Sequence, residues 1–245
     1  MRIKLNKNQI EMFSRQIVLK NIGIIGQEKI IKSKVLIIGM GGLGCPVAEF
    51  LVRAGVGTIG IVDPDSIDLS NIHRQSLFNI SDLKKYKVDV AKKKLKKINS
   101  KAKIDCYKTR FNKKNCNSMV KKFNFIVDGS DNFETKLLIN DTCKKEKKFL
   151  VTAAISKFDG HIFTFDFKDK KSPCLRSFFQ EDEILDDVLD CQFEGVLGTV
   201  ANIVGTIQAN EILKKILKIG KSLNGKILII DLLNLNFRKV NLRKV

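Results

Sequence analysis

The sequence predicts an α/β fold, a doubly wound and mostly parallel sheet with an antiparallel extension and an N-terminal helical arm. Three observations predict it. Short β-branched and aliphatic runs alternate with helical stretches as far as Ala154, the pattern of strands joined by crossover helices. One of these runs, Val35-Leu36-Ile37-Ile38, ends in Gly39-Met40-Gly41-Gly42-Leu43-Gly44, which opens a helix. The run Gly160 to Phe167 follows the strand Phe149 to Ala154 after only a short Asp159-Gly160 turn, which predicts an antiparallel neighbour.

Composition sets the bounds. At 245 residues, 44% of them apolar, the chain has enough apolar material for one complete core, and residues 1–245 are read as a single domain. The formal charge of +19 admits nucleic acid, acidic proteins or anionic small molecules as partners. Its lysines are scattered, as in Lys92-Lys93-Lys94 and Lys144-Lys145, rather than gathered among aromatics, so solvated helix faces are expected and a nucleic-acid partner is not. The six cysteines form no C-x-x-C pair, and with only His73 and His161 besides no zinc site can be assembled. Neither a signal peptide nor a membrane span is read, which predicts a reduced, cytoplasmic protein.

In chain order, Asn8 to Leu19 carries Ile10, Phe13, Ile17 and Val18 as a helical stripe, and Ile22 to Ile31 reads as a second helix of the arm. Val35 to Ile38 is a buried strand and Cys45 to Ala54 its helix. Between them Gly39 permits the tight turn, Gly41 with Gly42 lets a phosphate approach the backbone, and Gly44 lets helix and strand pack closely. The helix N-terminus offers unpaired N–H groups to an anion. Thr58 to Asp63 is the next strand. Asp63 lies 19 residues beyond Gly44, about where a carboxylate takes ribose hydroxyls. These residues predict a Rossmann-like nucleotide site and say no more than that. Pro64 to Gln75 is a polar loop, Val88 to Ile98 an amphipathic helix and Ala102 to Thr109 a strand. Phe125 to Asp128 is a strand that ends in the acidic turn Gly129-Ser130-Asp131-Asn132, followed by the helix Phe133 to Cys143. The loop at about 168–195 is long for a compact domain and carries six carboxylates between Glu181 and Asp190, features of a functional crossover. Gly198 to Leu217 is a long apolar helix, and Lys226 to Asp231 and Phe237 to Leu242 are closing strands.

Asp63-x-Asp65 followed by Leu69-Ser70-Asn71-Ile72-His73-Arg74-Gln75 resembles the D-x-D-x-V-x-x-S-N-L-x-R-Q signature of ubiquitin-activating-type adenylyltransferases. The match is closest to their bacterial MoeB/ThiF/HesA branch. It extends to Phe13-Ser14-Arg15-Gln16-Ile17, Asp128-Gly129-Ser130-Asp131-Asn132 and Cys191-x-x-x-Gly195-Val196, in order and at family spacing. The resemblance implies an enzyme that uses ATP and Mg²⁺ to adenylate the C-terminal glycine carboxylate of a small ubiquitin-like sulfur carrier, ThiS- or MoaD-like. A sulfur donor then forms the thiocarboxylate in thiamine or molybdopterin synthesis. That donor is expected to be a separate protein, because no rhodanese domain follows.

By the same resemblance, Arg74 and Lys87 are the phosphate cations, and Lys87 is preferred over Lys84 and Lys85 because Lys87-Val88 matches the Lys-Val that begins the family's next helix. Asn71, with Gln75 beside it, helps hold phosphate, and Asp63 takes the ribose. Asp131 is the expected Mg²⁺ ligand, with helix capping as its competing role, whereas Asp128 reads as structural. Arg15 would reach the site of a neighbouring subunit, which implies a homodimer. Cys191 matches the family's cysteine, with two roles open, a thioester or persulfide with the carrier or none in adenylation, and Asp186, Asp187, Asp190 and Glu194 oppose a thiolate there. Many relatives hold zinc with two C-x-x-C pairs. Here Cys174-Leu175-Arg176-Ser177 keeps one cysteine of the first pair and the second is missing, so no zinc is predicted and the crossover must be anchored by packing. Three readings compete with the main one: an enzyme of this fold acting on an RNA-linked carboxylate (threonylcarbamoyladenosine dehydratase type), an NAD-dependent dehydrogenase, and a non-catalytic scaffold.

Overall fold

The computed structural model describes residues 5–178 and 195–242. Strands β1 (Lys34–Ile38), β2 (Thr58–Val62), β3 (Lys103–Tyr107), β4 (Phe125–Asp128) and β5 (Phe149–Ser156) are parallel. Strands β6 (Asp159–Asp166), β7 (Lys226–Asp231) and β8 (Asn236–Asn241) extend the sheet antiparallel. Their order is β3-β2-β1-β4-β5-β6-β7-β8. The chain leaves β1 outward to β2 and β3, then returns to β4 on the other side of β1. That reversal opens a crevice beyond the carboxyl ends of β1 and β4.

Two layers of helices explain why the inner strands are apolar on both faces. On one face lie α3 (Gly23–Lys32), α4 (Gly44–Ala54), α5 (Lys87–Ile98) and α8 (Gly198–Leu217), sharing one core with Val35 and Ile37 of β1. On the other, α6 (Cys116–Lys121) and α7 (Phe133–Lys145) cover Leu36 and Ile38. This in-and-out alternation is the two-residue period of a strand. Val47, Leu51 and Val52 of α4 are fully buried, each contributing about 1.5–3 kcal/mol relative to an exposed side chain. Gly55 then stops α4 in a left-handed conformation.

The structure departs from the sequence reading in three places. The stripe over Asn8 to Leu19 is two short helices, α1 (Lys7–Met12) and α2 (Ser14–Ile17), broken at Phe13. The break turns Phe13 into the space that Gly55 leaves free, while Ile10 and Val18 stay exposed. The hairpin between β5 and β6 turns at Lys157-Phe158, not at Asp159-Gly160, and Lys157 takes the positive φ of +50°. Gly160 lies inside the ladder, where a Cβ would come within 2.4 Å of Val204 on α8, so its small size serves packing. Helix α6 is absent from the sequence reading, because six residues are too few to show a period.

Candidate active site

The glycine turn sits at the mouth of the crevice. Gly39 has φ +93°, and a Cβ there would lie 2.6 Å from the Gly129 carbonyl oxygen at the end of β4. At Gly44 a Cβ would meet the Gly39 carbonyl oxygen at 1.9 Å. Both positions therefore exclude any side chain. At Gly41 the space is open, with Gln75 Nε2 the nearest atom at 3.9 Å. The backbone there, with the N-terminus of α4 behind it, can be approached by an anion such as a phosphate. Gln75 is buried, and its Oε1 accepts no hydrogen bond among the described residues. An unpaired buried acceptor beside a glycine cradle suits a ligand that brings N–H or O–H groups.

Asp63 follows β2 and faces this turn. Its Oδ2 accepts from Met40 N at 2.7 Å and its Oδ1 from Asp65 N at 2.9 Å, which leaves acceptor capacity on both oxygens. Burial pushes its carboxyl above the usual range, against the pull of the Lys87 ammonium. Lys87, the first residue of α5, is buried, with its Nζ 3.0 Å from Asp65 Oδ2 and 3.9 Å from Asp63 Oδ1. The neighbouring lysines point elsewhere: Lys84 pairs with Asp68 at the surface, and Lys85 donates to the Ser81 carbonyl. Side-chain exposures of 8% for Lys87 and 82% for Lys84 make Lys87 the crevice cation. Asp65 is the nearer partner of Lys87.

The loop after β2 carries Asn71 and brings Arg74 beside Gly42 and Gln75 beside Gly41. Asn71 Oδ1 accepts from Asp68 N and closes a short 3₁₀ turn. Arg74 Nη1 rests 2.8 Å from the Ser70 carbonyl and 2.7 Å from His73 Nε2, while its stem lies 3.5 Å from where a Gly42 Cβ would be. Helix α8 packs against the glycine turn, the Arg74 loop and the end of β4. Asn202 Nδ2 donates to the Arg74 carbonyl, Ala201 packs on Gly42, Gly205 approaches the Leu43 carbonyl, and Gln208 Nε2 donates to the Asp128 carbonyl. No role for α8 was read from sequence. The available signal was the amide side chains Asn202 and Gln208 within the run Gly198 to Ala209, whose other residues are apolar, Gly or Thr.

Asp131 stands exposed just past β4, and among the described residues its side chain contacts Asn132 Nδ2 at 3.4 Å. Asn132, not Asp131, caps α7 by accepting from Thr135 N. The capping role that competed for Asp131 thus belongs to its neighbour. Asp128 is fully buried and accepts from Ser130 N, Ser130 Oγ, Lys136 Nζ and Thr152 Oγ1, which fills its acceptor sites and makes it structural. Among the described residues no three His, Cys, Asp or Glu side chains converge as a metal site. A single free carboxylate beside a phosphate cradle fits Mg²⁺, which typically takes one or two carboxylates plus phosphate oxygens and water.

Arg15 is not brought here. Arg15 is exposed on α2, and Gln16 beside it donates to the Ala54 carbonyl at the far end of α4, about 15 Å along that helix from Gly44. Cys191 and most of the acidic crossover lie outside the described residues. The crossover's entry is held by more than packing. Leu175 N donates to Asn140 Oδ1 of α7, Arg176 forms a two-pronged pair with Asp141, and Cys174 Sγ lies 3.5 Å from Ser177 Oγ and 3.9 Å from Lys144 Nζ.

Comparison with known proteins agrees with this arrangement. The chain is 36% identical over 241 residues to a sulfur carrier protein adenylyltransferase of Thermus thermophilus, covering 97% of this chain and 89% of that protein. It is 38% identical to the adenylyltransferase and sulfurtransferase MOCS3 of Culex quinquefasciatus and to that of Dictyostelium discoideum, covering 98% of this chain. The chain spans about half the length of these two, 54% and 56%. Among solved structures, PaaA superposes with a TM-score of 0.82 at 23% identity, over 98% of this chain and 84% of that one. Escherichia coli MccB with ATP superposes at 0.76 and 23% identity, over 89% and 66%. These two share the fold. The ThiF family model matches residues 13–245, and with that match the chain belongs to the ThiF family.

Proposed function

We propose that the chain is an ATP-dependent adenylyltransferase, one adenylation unit that activates the C-terminal glycine carboxylate of a small ubiquitin-like sulfur carrier of the thiamine or molybdopterin pathway. The observation that carries this reading is the convergence of the glycine cradle, Asp63, Lys87, Arg74 and Asp131 on one crevice at the carboxyl ends of β1 and β4. The Thermus relative named for this reaction matches along nearly its whole length. No feature of the described site favours the RNA-linked or nicotinamide readings.

The chemistry requires little proton transfer. A terminal carboxylate has a pKa of about 3.5, so it is already ionised and no general base is needed. One carboxylate oxygen bonds to the α-phosphorus of ATP as the bond to the bridging oxygen breaks, and pyrophosphate leaves with that electron pair. The α-phosphate would lie on the Gly41 backbone and the ribose on Asp63. Lys87, and Arg74 swung off Ser70 and His73, would balance the charge of the departing pyrophosphate. Mg²⁺ held by Asp131 would neutralise phosphate oxygens. A homodimer is part of the proposal. It is supported by the exposed apolar side chains around Arg15, with Val18 71% and Ile25 65% exposed, and by the distance of Arg15 from its own chain's crevice. A cytoplasmic setting and a separate sulfur donor complete it. Among the described residues no helix is long and apolar enough to cross a membrane.

The test is ATP–pyrophosphate exchange with purified carriers that end in Gly-Gly. Exchange stimulated by a thiamine-type or a molybdopterin-type carrier is expected, and silence with both would refute the substrate. Asp131→Ala should abolish exchange; near-normal exchange would remove the metal assignment.

A further inference from the structure

Lys136 has no part in the chemistry above, yet its placement is specific. It lies in the first turn of α7 and reaches back beneath the loop that follows β4, its side chain only 11% exposed. The ammonium contacts three oxygens: Asp128 Oδ2 at 3.1 Å, the Ser130 carbonyl at 2.7 Å and the Ala153 carbonyl at 2.7 Å. These come from the end of β4, the following loop and the adjacent strand β5. An ammonium has three N–H donors, and all three have partners, so none is left for a substrate. The Ser130 carbonyl belongs to the residue just before Asp131, and Asp128 turns back to hold Ser130 N and Oγ. Among the described residues the Asp131 side chain has no anchor beyond the weak contact to Asn132.

We propose that Lys136 is a positioning residue that locks the backbone of the Gly129–Asp131 loop so that the Asp131 carboxylate is held ready for the metal–nucleotide complex. This rests on the metal reading of Asp131 given above. Lys136 acts without touching substrate: it fixes the peptide that carries Asp131 and balances the buried charge of Asp128. The alternative, an ammonium recruited to the carrier carboxylate or to a phosphate, would require it to give up three short contacts and strand a buried carboxylate.

The experiment measures ATP binding calorimetrically with and without Mg²⁺ for the parent, Lys136→Met and Asp131→Ala, alongside thermal melting and hydrogen exchange of the amides at 129–132. The parent should bind MgATP more tightly than ATP alone, and Asp131→Ala should lose that gain. Lys136→Met should lose about tenfold in MgATP affinity, change metal-free ATP affinity less than about threefold, and exchange the loop amides about tenfold faster. A folded Lys136→Met that binds MgATP like the parent, or loses ATP and MgATP equally, overturns the proposal while leaving the metal reading intact. A Mg²⁺ gain that survives in Asp131→Ala overturns both. Should Lys136→Met fail to fold, Lys136→Arg decides. It keeps the charge beside Asp128, but its planar fork spreads donors that here must converge on one point. A partial loss of the Mg²⁺ gain is then expected, and parental MgATP affinity overturns the proposal.

Discussion

Lys87 is buried between two carboxylates, and that setting defines its use. A cation held by Asp63 and Asp65 keeps its position before any nucleotide arrives, so binding a triphosphate costs it little rearrangement. Replacing it with Met should cut carrier-stimulated exchange by about 10²–10³-fold, about 2.7–4 kcal/mol of transition-state stabilisation. Steady-state rates beside a melting curve check this, and a fall of less than fivefold in a variant with parental stability would remove Lys87 from the site. At this scale the sequence was legible where motifs span few residues. Asn71, Arg74 and Gln75, and Lys87 over Lys84, are singled out by short stretches that carry the family resemblance. Asp65, Lys136 and Gln208 could not, because the partner of each is set by tertiary packing: Lys87 lies 22 residues from Asp65, Ala153 lies 17 from Lys136, and Asp128 lies 80 from Gln208.

Among the elements, the buried strands were the most legible, because covering both faces leaves runs with no polar residue to confuse the period. The arm was the least, because Phe13 breaks the helix to fill a gap beside Gly55, information that lies 42 residues further on. The anchoring of the crossover on α7 was expected to rest on packing, yet polar contacts carry much of it. Burial alone would raise the Asp141 carboxyl, but the hydrogen bonds from Arg176 and Asn140 outweigh it and hold the group below its ordinary value. A depressed carboxylate pKa gives stability that is present above the unfolded value of about 3.9 and is lost as pH falls through the folded one. The amides of Leu175 to Ser177 should therefore keep their protection down to about pH 4 and lose it below, while Asp141→Asn should show weakened, pH-independent protection over the same window. Because the pair is largely exposed, the effect is about 0.2–1 kcal/mol. Hydrogen exchange corrected for intrinsic rates reads it, and a parental pH profile in Asp141→Asn would disprove it.

On the scale of the whole molecule, the site draws on β1, β2, β4, α4, α5, α7 and α8, with α8 joining the glycine turn, the Arg74 loop and the end of β4. Sequence reading reached the doubly wound sheet and its antiparallel extension, because strand and helix periods are local. It did not reach the role of α8, whose contacts join residues as far apart in sequence as Arg74 and Asn202. If Arg15 serves a second copy, Arg15→Ala and Asp131→Ala should each be inactive alone. Mixed one to one and allowed to exchange subunits, they should recover about a quarter of the parental rate, since half the dimers would be hybrids with one sound site. No recovery, with subunit exchange verified by mass, would place Arg15 outside the shared site. The sheet itself ends in β3 on one side and β8 on the other, each with a neighbour on one flank only. Such rims are templates on which further chains can stack strand upon strand into aggregates. Here they carry Lys103 and Asp105 on β3, and Arg238 and Lys239 on β8. Like charge on the outermost β8 strand makes rim-to-rim growth between copies unfavourable, so part of the +19 charge serves colloidal stability with no binding partner required.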